Sequence, residues 1–187
     1  MGKHIDIHAG LIERCQRNEA RAQAEIYRLY SKAMYNVSLR IVGNREDAED
    51  VLQESFVSAF RSIDLFRAES SFGSWLKRIV INRSLNQIRG KIYFTEVKDE
   101  IMGFFDSAEE EEQDEIEYSV KDIKNVLTQL SDGYRAVFTL YMFEDHSHKE
   151  IAELLKITES TSKSQLNRAK KKVREHLIQL KNERRQA

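Results

Sequence analysis

The side chains best suited to chemistry are concentrated between His146 and Leu177, where Lys163, Arg168, Lys170, Lys171, Lys172 and Arg174 stand beside Ser164 and Gln165. Ammonium and guanidinium groups are donors only and pair with anions, while hydroxyl and amide groups can both donate and accept. Together they suit a phosphate backbone and the polar edges of bases. This is the chemistry of binding. For bond-making the chain offers little: there is no Gly-rich phosphate loop and no nucleophile elbow. Cys15 is the single cysteine, which excludes an intramolecular disulfide and any Cys-pair zinc site. His146 and His148 are two residues apart and His4 and His8 are terminal, a poor ligand spacing. Acidic neighbours such as Glu46 and Asp47 fall on a face expected to be solvated. No catalytic residue, metal or cofactor is expected, and the chain is read as a binding protein rather than an enzyme.

The cations must be positioned by helices. Ser147 with Glu150 forms a capping box before Ile151, Ala152, Leu154 and Leu155, and Thr158 can start a longer helix carrying Leu166, Val173, Leu177 and Leu180. A short capped helix, a tight connection and a long basic helix make up the helix-turn-helix pattern. The first helix fixes the angle of the second, whose polar N-terminal turn enters the major groove. Lys163, Ser164, Gln165 and Arg168 are then the candidates for base contacts, and Lys170, Lys171, Lys172 and Arg174 for phosphate. The connection lacks the glycine common in such turns. Upstream, Ile123, Val126, Leu127 and Leu130, then Ser131 as a cap, then Tyr134, Val137, Phe138 and Tyr141 continue the helical spacing.

The N-terminal half follows the same rules. Ala22, Ile26, Leu29, Ala33 and Val37 mark a helix over 20–42 that Gly43 ends, and Asn44 caps the next, with Asp47 completing an approximate capping box. Ala48, Val51, Leu52, Phe56, Phe60 and Ile63 mark its buried face. Ser70 or Ser71 caps a third helix with Phe72, Trp75, Leu76, Ile79 and Val80 on its apolar side, running to about Gly90. With no proline, only 7 glycines and 33% charged residues, the fold class is all-α. We expect two small helical domains, 10–95 and 119–181, joined by a flexible linker over 96–118 that holds the unbroken acidic run Glu109 to Glu112. Phe104 and Phe105 within it either dock on a neighbouring surface or are tolerated in a loop. The net charge of -1 conceals this separation of acidic and basic blocks. No apolar run is long enough for a signal peptide or membrane span, so a cytoplasmic protein without membrane insertion is expected.

Two further segments narrow the class. DAEDVLQESF at Asp47 to Phe56, followed by FRAESSFGSWLKRIVINRSLNQIR at Phe66 to Arg89, resembles the second region of extracytoplasmic-function (ECF) sigma factors of the sigma-70 family. Leu127 to Leu177, with Thr161, Lys163, Ser164, Leu166, Arg168 and Ala169, resembles their fourth region. The resemblance implies a sigma2-like bundle, a sigma4-like helix-turn-helix domain, and three partners: core RNA polymerase, promoter DNA and an anti-sigma factor. It assigns Asp47, Glu49, Asp50, Gln53 and Glu54 to core polymerase, beside Val51 and Phe56 as apolar anchors; from the residues alone this is an ordinary charged helix face. For the −10 element it implies a pocket shaped by Phe66, Arg67, Ser70, Ser71 and Asn82, with Lys77, Arg78, Arg83 and Arg89 following the strand. Trp75 has two readings, core packing and base stacking. For the −35 element it implies Thr161, Lys163, Ser164, Gln165, Arg168, Lys171 and Lys172.

In the family the linker occupies polymerase channels that otherwise hold nucleic acid, and a stretch without positive charge suits such walls. The same acidic run is expected to shield the basic second domain in the free protein. Two departures stand out: Ser162 where an apolar residue is usual, and Gln165 where arginine is frequent. They leave the promoter sequence and the register of the recognition helix open. Two rival readings are a helix-turn-helix regulator with an N-terminal sensing or dimerisation bundle, and a helical adaptor whose basic helix is only solvated.

Overall fold

The computed structural model describes residues 7–101 and 119–186. Its helices are α1 (Ala9–Gln16), α2 (Ala20–Val42), α3 (Arg45–Arg61), α4 (Phe72–Ile101), α5 (Val120–Gln129), α6 (Asp132–Met142), α7 (His148–Leu155) and α8 (Glu159–Gln186), with a 3₁₀ turn at Ile63–Leu65. Among the described residues there is no strand. The chain divides into two compact units, Met1–Gln87 and Ile88–Ala187.

In the first unit α1 and α3 both pack on α2. Gly43 adopts φ 80°, and its N–H donates to the Leu39 carbonyl, closing α2 with the left-handed residue that glycine tolerates without a Cβ penalty. Asn44 then caps α3, its side-chain oxygen accepting from the Asp47 N–H at 2.9 Å. The expected capping box is half formed, because the Asp47 carboxylate accepts from the Asn44 side-chain amide (2.6 Å) and not from its backbone. Of the two candidate serines Ser71 caps α4, its hydroxyl accepting from the Ser74 N–H at 3.2 Å.

The buried stripe of α2 runs through Ala22, Ile26, Met34, Val37 and Ile41. Leu29 and Ala33, expected in it, face outward, since the true stripe advances by whole turns through Tyr30 and Met34. It meets Val51, Phe56, Phe72, Leu76 and Val80, all buried. Two buried hydroxyls bring α2 close to α4, where Ser84 donates to the Val80 carbonyl (2.8 Å) and its oxygen can accept from the Ser38 hydroxyl 3.3 Å away. Helix α1, unsignalled by its few apolar residues, is pinned by buried Ile12 and Cys15, and burial pushes the Cys15 thiol up.

Helix α4 does not stop near Gly90 but continues to Ile101. A glycine terminates a helix by taking positive φ. Gly90 does not take it, and inside a helix glycine costs only about 1 kcal/mol. The expected linker 96–118 is therefore helical through Ile101. Its remainder, with Phe104, Phe105 and the Glu109 to Glu112 run, lies outside the described residues.

In the second unit α5, α6 and α7 pack on α8. Ser147 and Glu150 form the expected capping box, and Ser119 with Asp122 forms another that opens α5. Ser131 occupies the cap position of α6, but its hydroxyl makes no capping bond. Helix α7 ends on Lys156 at φ 58°, a left-handed residue where glycine is usual. Lys156→Gly is expected to stabilise this unit by about 1 kcal/mol, measured by urea unfolding, because a Cβ is unfavourable there.

Asp122 is buried and accepts from both terminal nitrogens of Arg184 near the end of α8, from the Ser119 hydroxyl (2.7 Å) and from the Ser119 N–H (3.1 Å). The Arg184 bonds first, then the Ser119 hydroxyl, hold the carboxyl well below the usual carboxylate range, against burial. A depressed folded-state value stabilises the fold above the ordinary carboxylate pKa of about 4 and ceases to do so as pH falls through the lowered value. Melting temperatures followed from neutral pH into acid should therefore fall less steeply below about pH 4 in Arg184→Ala than in the natural chain.

Candidate functional surfaces

Three charged surfaces emerge from these helices. On α3 the capped N-terminus and the inward turn of Ala48, Val51, Leu52 and Phe56 leave Glu46, Glu49, Asp50, Gln53 and Glu54 exposed and Asp47 half-buried. Acids at a helix N-terminus are favoured by the helix dipole. Several already have partners: Glu49 accepts from Arg45 at 2.8 Å, Asp47 from the Gln87 amide of α4 at 2.8 Å, and Glu54 from Arg83 of α4 at 2.7 Å. Val51 and Phe56, expected as anchors for a partner, are core residues only 3% exposed, so they cannot serve. The apolar atoms available beside the acids belong instead to Tyr27, Leu29 and Val57, all exposed. An open groove between α2 and α3 is lined by Tyr27, Tyr35, Arg45, Glu49, Leu52 and Gln53. Tyr27 and Tyr35 were invisible as site residues in the sequence; eight residues apart, they lie about 80° from one another around α2, Tyr27 at the edge of its buried stripe against Phe56.

The second surface is built on α4 and the turn before it. Arg78, Asn82 and Arg89 are exposed and, at 100° per residue, lie within about 40° of one another around the helix. Arg83 lies about 140° from Arg78, toward Glu54, so two residues expected to serve different partners are paired with each other. Lys77 is half-buried. In the preceding loop Arg67 is exposed while Phe66, Ser70 and Ser71 are half-buried. Phe66 packs against Phe72 and Trp75, each at 5.5 Å, and Trp75 against buried Phe72 at 5.4 Å, which is core packing for Trp75. Ala68 holds φ 54° in this loop, a left-handed conformation costly for a residue with a Cβ. The Ser71 hydroxyl is engaged as the α4 cap.

The third surface is on α8. Thr158 caps it, accepting from the Thr161 N–H at 3.0 Å. Lys163, Asn167, Lys170 and Arg174 share one exposed line, with Ser160, Ser164 and Lys171 beside it. Asn167, one turn after Lys163, was missed because it lies outside the basic run. Thr161 and Arg168 are half-buried at the edge of the packed side. Gln165 corrects an expectation: it is 6% exposed and turned into the domain, so it is not placed to reach a base. Lys172 is exposed but lies about 180° around α8 from Lys163, its ammonium 5.5 Å from the centre of the buried Tyr134 ring. Ser162, where an apolar residue was expected, is fully buried and bonds to His148 at 2.9 Å.

Among the described residues no helix is long and apolar enough to cross a membrane.

Residues 26–91 match the Sigma-70 region 2 family and residues 121–173 the family described as Sigma-70, region 4. The chain is 32% identical over 176 residues to the RNA polymerase sigma-H factor of Pseudomonas aeruginosa, covering 87% of this chain and 90% of that protein. To the ECF RNA polymerase sigma factor SigW of Bacillus subtilis it is 28% identical over 186 residues, covering 90% and 96%. Among solved structures it is similar to the sigma factor RpoE of Bartonella quintana, crystallised with the anti-sigma factor NepR, with a TM-score of 0.53 and 24% identity over 83% of this chain and 96% of that one. An acidic helix face and two lines of cations thus occur in a chain whose two regions match in order: it belongs to the ECF sigma factors of the sigma-70 family.

Proposed function

We propose a division of labour for this sigma factor, which binds core RNA polymerase and directs promoter-specific initiation. Asp47, Glu49, Asp50, Gln53 and Glu54 on α3 bind core polymerase, with Tyr27 and Tyr35 as apolar flanks. Phe66, Arg67, Ser70, Ser71 and Asn82 shape the pocket for the flipped −10 base, and Lys77, Arg78, Arg83 and Arg89 follow the opened strand. Lys163, Ser164 and Asn167 read the −35 element, Thr161 and Arg168 steady the edge of that contact, and Lys170, Lys171 and Arg174 hold phosphate. Gln165 and Lys172 are left out of the contact. The domains run over 10–95 and 119–181, with 96–118 between them.

The observation that carries this reading is the outward, linear arrangement of charge of one sign on each of three capped helices. Opposite charge steers a partner and fixes its register, and cations on one helix line can follow a phosphate backbone. No bond-making group is assigned to this chain; the polymerase performs the chemistry, in the cytoplasm. An anti-sigma protein is the proposed regulator, supported by the structural neighbour solved with one.

Adding the purified chain to core polymerase and genomic DNA should yield transcripts absent with core alone. If no new start sites appear, the reading fails. A helix-turn-helix regulator with a sensing bundle, the rival, would instead bind an operator tightly without polymerase.

A further inference from the structure

Helix α7 packs on α8, and the side chains they bury are mostly apolar, Ile151 and Ala152 on one helix, Leu166 and Ala169 on the other. Such contacts hold helices together but resist sliding and rotation weakly, because the hydrophobic effect is non-directional. One contact at the start of both helices is directional. His148, the first residue of α7, places Nδ1 2.9 Å from the hydroxyl of Ser162, the fourth residue of α8. Ser162 is fully buried, so its hydroxyl depends on a partner inside the protein. The imidazole plane is itself held, stacked on Tyr141 of α6 at 4.7 Å and 26°. Lys170, two turns further along α8, sits 5.9 Å from the centre of the same Tyr141 ring. The chain of contacts Ser162, His148, Tyr141, Lys170 therefore leaves α8, crosses α7 and α6, and returns to α8.

Ser162 lies between Thr161 and Lys163, at the turn proposed to meet base edges. A rotation of α8 by roughly 10° moves the tip of a long side chain by about 1 Å, enough to spoil a hydrogen bond to a base. Phosphate contacts are more forgiving and carry no sequence information.

We infer that His148 is a positioning residue for promoter recognition: through its hydrogen bond to Ser162 it fixes how α8 is rotated on α7, and so which bases Lys163, Ser164 and Asn167 can read. The inference rests on the −35 reading given above and adds the residue that sets its selectivity.

The test uses full-length factor assembled with core polymerase and a promoter recovered by sequencing the transcripts made from genomic DNA. Transcription is compared between that promoter and versions with single-base changes in the −35 element. His148→Phe keeps an aromatic ring for Tyr141 and removes the hydrogen bond; Ser162→Ala removes the buried hydroxyl with the smallest change in shape. Each is expected to lower the ratio between intact and altered promoters by about five- to tenfold. The double variant, which leaves no unpaired hydroxyl, should be no worse than the poorer single. An equal fall on every promoter with an unchanged ratio would mean that His148 touches phosphate or only supports the fold, and overturns the inference. Should His148→Phe fail to fold, the Ser162→Ala ratio decides alone. If the natural chain itself ignores −35 changes, the helix-turn-helix reading falls, and this inference with it.

Discussion

Replacing Asp47, Glu49 and Asp50 together by alanine is expected to weaken binding of the factor to core polymerase by about 100-fold, with helix content unchanged. Glu49 and Asp50 are exposed on α3 and Asp47 is half-buried, and the core side of Ala48, Val51, Leu52 and Phe56 is untouched by the change. The cap survives as well, because Asn44 accepts from the backbone of Asp47 and not from its side chain. Some local stabilisation is lost, including the Arg45–Glu49 pair, the Gln87 and Asn44 side-chain bonds to Asp47 and the favourable dipole interaction at the helix start. Exposed pairs of this kind contribute at most about 1 kcal/mol each. The loss of polymerase affinity should exceed it, since each carboxylate removed leaves an opposing cation on the partner without its counter-charge. Asp50→Asn alone isolates the effect, because Asp50 is exposed and no ion pair joins it to another described residue. Fluorescence anisotropy of labelled factor titrated with core polymerase reads both; an undiminished affinity in the triple variant would remove α3 from the interface.

The pattern of agreement between sequence and structure has a physical cause. Helix starts were legible where a small polar residue could accept from the N–H three positions later, at Asn44, Ser71, Ser147 and Thr158, though the same arrangement at Ser119 went unread. These caps are local, so local sequence encodes them. Helix ends were less so. Gly43 takes the left-handed conformation and stops α2, Gly90 does not and α4 continues, and a lysine at 156 does at α7 what glycine usually does. Nothing in the neighbouring residues distinguishes these cases, because the choice depends on what the following chain packs against.

Residue roles were lost in the same way. Basic and amide side chains in a run look alike until the helix is rotated into place. Gln165 then turns inward, Lys172 lies over Tyr134, and Arg83 reaches Glu54, while Asn167 turns outward. The interface on α3 was misjudged for the converse reason. Val51 follows Asp50 directly and Phe56 follows Glu54 by two, but a helix turns each residue about 100° from the last, and both belong to the core.

That rotation of α8 gives the second large expected effect. Changing Lys163 and Asn167 together to alanine should lower transcription from the intact promoter by about 30-fold relative to one already altered at the −35 element, since each base contact contributes about 1 kcal/mol or more to discrimination. Both residues are exposed and one turn apart, so the loss should occur with little change in thermal stability. Lys171→Ala removes a phosphate contact only: binding should weaken alike on all sequences, and the slope of log affinity against log salt should fall by about one. Lys172→Ala separates this geometry from simple charge counting. It removes the same charge from the neighbouring position, but this exposed side chain holds its ammonium over the Tyr134 ring, about 180° around α8 from Lys163. Its salt slope should stay close to that of the natural chain, with a lower melting temperature instead. If 171 and 172 behaved identically in the salt titration, the rotation of α8 described here, and every base contact assigned from it, would have to be redrawn.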